Sequence, residues 1–144
     1  MRLTSFTDFA LRALMRLAGE PDRSFATSAI AAEFEISRNH LAKVVRDLAD
    51  AGFIATQRGA GGGFSLARPA ETITLGEVVR ALEGGSALVE CFRDDGGDCL
   101  LLPRCRLKAK LAAAREAFMR ELDGTTLAEC AYLPRPVRHP ARAS

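Results

Sequence analysis

Three cysteines, Cys91, Cys99 and Cys105, stand at C-x7-C-x5-C spacing in a chain of 144 residues. Thiolates on one irregular stretch can converge on a soft metal centre. Structural zinc sites usually pair their ligands as C-x2–4-C, and no such pair occurs here. Iron–sulfur clusters accept looser, loop-borne ligands. The spacing therefore leaves an iron–sulfur cluster, a zinc ion and plain thiols all open. Disulfides are the less expected use. Met1-Arg2-Leu3-Thr4-Ser5 leads into an amphipathic pattern rather than a secretion signal, which suggests a cytoplasmic setting where thiols stay reduced. Cys130 lies apart from the other three and reads as a small hydrophobe.

A second constellation suits nucleic acid. Ser37, Arg38, Asn39, His40, Lys43 and Arg46 crowd one short segment, with no acid until Asp47. Arg can fork onto guanine and Asn can pair with adenine in the major groove. Lys43, Arg46 and a helix N-terminus can hold phosphates. Arg58, beside Gly59-Ala60-Gly61-Gly62-Gly63, can reach an adjacent minor groove or the backbone. Those glycines also invite a phosphate-loop reading, but that motif must open a helix. Here Phe64-Ser65-Leu66 and then Pro69 follow, so hairpin geometry explains the glycines better.

The elements that must carry these residues can be read from periodicity. Phe6, Ala10, Ala13, Leu14 and Leu17 predict a first helix over residues 5–19, with Ser5 as N-cap and Gly19 as stop. Two short helices follow, about 27–34 and 38–51, joined only by Glu35-Ile36-Ser37. Ser37 is a good N-cap for the second. This is a helix-turn-helix pattern without the glycine often found in its turn. Residues 53–57 and 63–67 can pair as a two-stranded wing. Thr74-Leu75-Gly76-Glu77 is a capping box opening another helix. A narrow stripe of Leu107, Leu111, Ala114, Phe118 and Leu122 marks the longest helix and suits a helix–helix seam. A second capping box, Thr126 to Glu129, predicts a short final helix, and the Pro- and Arg-rich residues 134–144 read as a disordered tail.

The fold class expected is thus mainly α with a small β-hairpin wing: a winged helix-turn-helix plus a long C-terminal dimerisation helix. The expected divisions are a DNA-binding domain at 1–83, a cysteine-bearing loop at 84–105, dimerisation and terminal helices at 106–133, and the tail. Hydrophobic residues make up 48% of the chain, which supports a packed core and argues against disorder. A net charge of +2 says little about nucleic acid, since a local basic stripe matters more than the total. No apolar run is long enough to span a membrane. Two histidines and no paired-carboxylate or nucleophile–base arrangement argue against an enzyme.

Several passages resemble the winged-helix iron–sulfur transcription regulators. They are Leu3 through Leu14, Ile36 through Lys43, Gly59 through Gly63, Leu75 through Arg80 and Cys105 through Lys108. The likeness spans about residues 1–130 and is strongest to the nitric-oxide-sensing branch. It implies a cytoplasmic homodimer on a partly palindromic double-stranded DNA operator, with nitric oxide as signal. It also implies one iron–sulfur cluster per subunit, 4Fe-4S in preference to 2Fe-2S. The family's cysteine ligands fall onto Cys91, Cys99 and Cys105, and its carboxylate ligand, given by the partner's first helix, falls onto Asp8. A related branch uses a histidine shortly after the third cysteine, where Leu107 stands here. The Cys91–Cys99 loop is longer than the family pattern, and its Asp94, Asp95 and Asp98 compete with Asp8 for that role. A regulator of this fold answering to iron supply or oxidation state is the alternative.

Overall fold

The computed structural model describes residues 2–135, so positions 136–144 of the expected tail, His139 among them, lie outside the described residues. Its helices are α1 (Ser5–Gly19), α2 (Thr27–Glu33), α3 (Arg38–Asp50), α4 (Leu75–Glu83) and α5 (Arg106–Asp123). Strands β1 (Ile54–Gln57) and β2 (Gly63–Leu66) form the wing, and single 3-10 turns occur at Ala70–Thr72, Glu90–Phe92 and Ala128–Cys130. No described helix is long and apolar enough to cross a membrane.

Helix α1 has the range its sequence suggested, but its cap lies one residue earlier. Thr4, not Ser5, is the N-cap, and its hydroxyl accepts from Thr7 N. A distant partner decides this: Glu83 Oε1 accepts from Thr4 N at 2.8 Å, Thr4 Oγ1 at 2.7 Å and Thr7 Oγ1 at 2.6 Å. Thr7 is fully buried as a result. At the other end the helix runs through Gly19 to a cap at Glu20. Buried Arg16 spans from Glu20 (2.6 Å) to Glu33 (2.9 Å) and lies over the Phe25 ring, tying α1 to α2.

The α2–α3 turn closes without glycine because Glu35 takes φ +54°, in the left-handed region. Ile36 then buries at the corner, and Ser37 caps α3 by accepting from His40 N at 3.1 Å. The inner face of α3, Leu41, Val44, Val45 and Leu48, joins Ala10, Ala13, Leu14 and Leu17 of α1 in one core. The wing pairs antiparallel in the register Ile54↔Leu66 to Gln57↔Gly63. Phe25 adds a bridge to Phe64 on the wing's inner edge, with bonds of 2.9 and 2.8 Å.

The chain beyond α5 returns to this core. Leu127 is fully buried there, and its N–H donates to Ile73 O at 2.8 Å. Thr126 and Glu129 make the reciprocal hydrogen bonds of a capping box. Only a 3-10 turn follows rather than a helix, because residues 125–127 are held in register against 73–75. Gly76 lets this happen: a Cβ there would collide with the Asp123 carboxylate, which Arg80 grips through both oxygens at 2.5 and 2.6 Å. Helix α5 itself buries no residue within the single chain, and Leu107 is 60% exposed.

Five carboxylates sit below the usual carboxylate range, Glu129 among them through the hydrogen bond from the Thr126 backbone N–H. The Arg16 hydrogen bond lowers Glu20, the Thr74 backbone N–H and Arg68 lower Glu77, and Arg80 lowers Asp123. Burial pushes Glu83 upward, but hydrogen bonds from Thr7 and Thr4 outweigh it. A depressed carboxyl contributes stability above its unfolded pKa and loses it as pH falls through the folded one. Melting temperature should therefore hold from neutral pH to about 5 and fall progressively below about 4. A curve flat to strongly acid pH would contradict this. Gly76→Ala should cost about 1–3 kcal/mol in denaturant unfolding through overpacking against Asp123, and an unchanged midpoint would show that contact to be slack.

Candidate functional site

The outward side of α3 carries exposed Arg38, Asn39, Lys43 and Arg46, with Ser37 exposed at its cap. The amphipathic pattern turns these residues out because Leu41, Val44, Val45 and Leu48 must turn in. Among the described residues, Arg38, Lys43, Arg46 and Arg58 form no ion pair, whereas six other arginines do. Four of the unpaired cations thus stand together on one helix face and at the wing, while another run of them, Arg104 to Arg120, lies just before and along α5. Arg58 is exposed at the start of the wing tip, where Gly59 and Gly61 take φ +99° and +75°. A strand follows that tip, which leaves no helix N-terminus for a phosphate loop.

His40 is placed differently from its neighbours. It is half-buried, with its ring turned back onto α1. The Phe9 ring meets it edge-on at 5.0 Å between centroids, and Phe6 lies at 6.1 Å.

The cysteines occupy the connection between α4 and α5, and all three are half-buried free thiols. The loop folds back on itself: Asp98 N donates to Glu90 Oε1 at 3.1 Å, and Gly97, at φ +59°, comes so near Glu90 that a Cβ there would collide with it. Residues adjoining Cys91 and Cys99 are thereby brought into contact. Leu102 N donates to Cys99 O, and Cys105 is the N-cap residue of α5. The unpaired N–H groups of that first turn can donate to an anionic sulfur. Asp95 is occupied within the loop, accepting from Arg93 at 2.6 Å and from Gly97 N, whereas Asp94 and Asp98 stay exposed.

Three thiols on one back-folded loop are the donor chemistry of an iron–sulfur cluster. In a single chain they do not close a site: among the described residues, no three His, Cys, Asp or Glu side chains gather at one point. The flanking Leu100 is 98% exposed and Leu101 66%, an arrangement that leaves the loop open on one side. Asp8 is elsewhere, half-exposed on α1 and paired with Arg12 at 2.7 Å. Cys130 is half-buried in the last 3-10 turn, apart from the loop.

Sequence reasoning missed the supports of this site: Arg16, Phe25 and Glu83. The signal for Arg16 was a cation among the inward positions of α1. Phe25 and Glu83 act across 39 and 76 or more positions respectively, which no local pattern reveals.

A family model described as an iron-dependent transcriptional regulator, Rrf2, matches residues 3–132. The chain is 49% identical over 132 residues to the HTH-type transcriptional regulator NsrR of Geobacillus kaustophilus, covering 90% of this chain and 88% of that one. Among solved structures, it is similar to CymR, the global cysteine regulator of B. subtilis, at TM-score 0.75 and 28% identity, covering 91% and 96%. T. potens IscR, at TM-score 0.71 and 23% identity, covers 90% and 85% and shares the fold.

For the reading face, Arg38→Ala should weaken binding to a cognate duplex by roughly 1–3 kcal/mol and relax its sequence preference. Titration of cognate and scrambled duplexes measures both effects, and unchanged affinity and selectivity would mean that Arg38 reads no base.

Proposed function

Because the chain belongs to the Rrf2 family of iron-dependent transcriptional regulators, we propose that it is a dimeric repressor whose hold on operator DNA is gated by a nitric-oxide-reactive iron–sulfur cluster. The observation that carries this reading is the union of two features in one fold. One is a face of unpaired cations on α3 and the wing; the other is a loop of three free thiols joined directly to the long, uncovered helix α5.

Arg38 and Asn39, in the first turn of α3, suit base edges, while Ser37, Lys43, Arg46 and Arg58 suit phosphates and the neighbouring groove. Two copies are needed for a palindromic operator, with reading helices about 34–36 Å apart. The exposed Leu107 and the half-buried Leu111, Phe118 and Leu122 of α5 supply an apolar seam for the second copy. The cluster would be held by Cys91, Cys99 and Cys105, with Asp8 of the partner subunit as oxygen ligand. A group bound there, 4Fe-4S in preference to 2Fe-2S, supplies iron open to attack by nitric oxide. The residues themselves do the rest. Asp8 has two uses, as a ligand or as the partner of Arg12 in its own helix, and only one is available at a time. Its choice biases where α1 sits between the copies, and so the spacing of the two α3 helices. The 49% identity to NsrR supports nitric oxide over iron supply or oxidation state as the signal.

Cys99→Ala should give a folded dimer that lacks visible absorption after anaerobic purification and binds operator weakly. Absorption spectra beside gel shifts test this. A colourless variant that still binds tightly would remove the gating while leaving the DNA-reading role intact.

A further inference from the structure

The geometry points to His40 as a positioning residue that carries the state of α1 to the DNA-reading turn through its edge-on contact with Phe9. The inference rests on the gating reading above, in which Asp8 is the residue whose partner changes.

Four contacts make a continuous path. Asp8 pairs with Arg12 at 2.7 Å. The Arg12 guanidinium lies 5.9 Å from the centre of the Phe9 ring. Phe9 meets the His40 ring at 5.0 Å with planes at 76°. His40 N donates to Ser37 Oγ, which fixes the first turn of α3, where Arg38 and Asn39 also stand. His40 is the one half-buried residue of that basic set, while Arg38, Asn39, Lys43 and Arg46 are exposed. Its ring therefore faces protein rather than the groove.

The chemistry of the path makes it responsive. Edge-to-face rings have a preferred mutual orientation, and a guanidinium near a ring face is attracted to it more when it lacks a carboxylate partner. When Asp8 leaves Arg12, the cation beside Phe9 loses its counter-charge. Phe9 and Phe6 flank Asp8 on the same turn of α1, so any tilt of that turn moves both rings against which His40 rests. Two-pronged base contacts by Arg38 and Asn39 tolerate little displacement. A small tilt of α3 at its N-terminus is therefore read as lost affinity.

The test compares operator affinity of cluster-loaded and cluster-free full-length protein by fluorescence anisotropy, for wild type, His40→Ala and His40→Phe. Absorption confirms loading. The affinity ratio between the two states should fall about tenfold in His40→Ala, within the usual span of coupling between sites. His40→Phe retains a ring and should keep the ratio within about twofold. The salt dependence of cluster-free binding should stay unchanged in both variants, since removing a phosphate contact would lower its slope by about 1. Phe9→Leu should also lose the ratio, and it serves where His40→Ala does not fold. Equal weakening of both states with a lower salt slope would make His40 a phosphate contact and overturn the inference. So would a His40→Phe variant that behaves like His40→Ala. Wild type with equal affinity in both states would instead sink the gating reading, and this inference with it.

Discussion

Helix α1 packs directly on α3, the helix that carries the candidate DNA-reading residues, and its one buried face is the packing partner of nearly everything else. Ala10 and Ala13 are buried at its centre, and such small side chains let neighbouring backbones approach closely. Its contacts reach α3, α4, β2 and the turn after α5. Both ends are pinned: Thr4 and Thr7 to Glu83, and Gly19 against the Tyr132 backbone, where a side chain would collide. Close-packed interiors deform in discrete steps rather than smoothly. A displacement of the first turn of α1 would therefore be passed to the elements packed on it, α3 among them.

The same packing links the two ends of the chain. Leu127 fills the core between α1 and Ile73, and Arg80 holds Asp123 at the end of α5. The long helix is thus fastened to the winged unit at its C-terminal end, while its N-terminal end carries Cys105 and the cysteine loop. A helix held at one end and bearing the cysteine loop at the other suits the transmission proposed between two copies.

Much of the fold was legible because its determinants are local. Leu41, Val44, Val45 and Leu48 at helical spacing marked α3, the glycine run between short β-branched and aromatic segments marked the wing, and Thr74 with Glu77 marked the start of α4. What escaped was decided at a distance or by backbone conformation. The α2–α3 turn relies on Glu35 in a conformation that glycine normally supplies, so its sequence gave only half the signal. Thr4 displaced Ser5 as cap because of Glu83, far along the chain. The second capping box produced one turn rather than a helix because pairing with residues 73–75 held its strand-like approach. For the candidate site, the identities of the exposed cations were readable from amphipathicity. The inward turn of His40 was not, since it depends on Phe6 and Phe9 of another helix. The cysteines could be counted from the sequence, but not that, among the described residues, they gather at no single point within one chain.

The central claim is that iron held between two copies sets their grip on DNA. Its most direct measurement follows absorption and operator binding together while nitric oxide is added to anaerobically purified protein. The account predicts a coloured dimer that binds its operator, and loss of binding in step with bleaching of the visible bands. Colourless protein that binds as tightly, or binding that persists after the bands have gone, would contradict it.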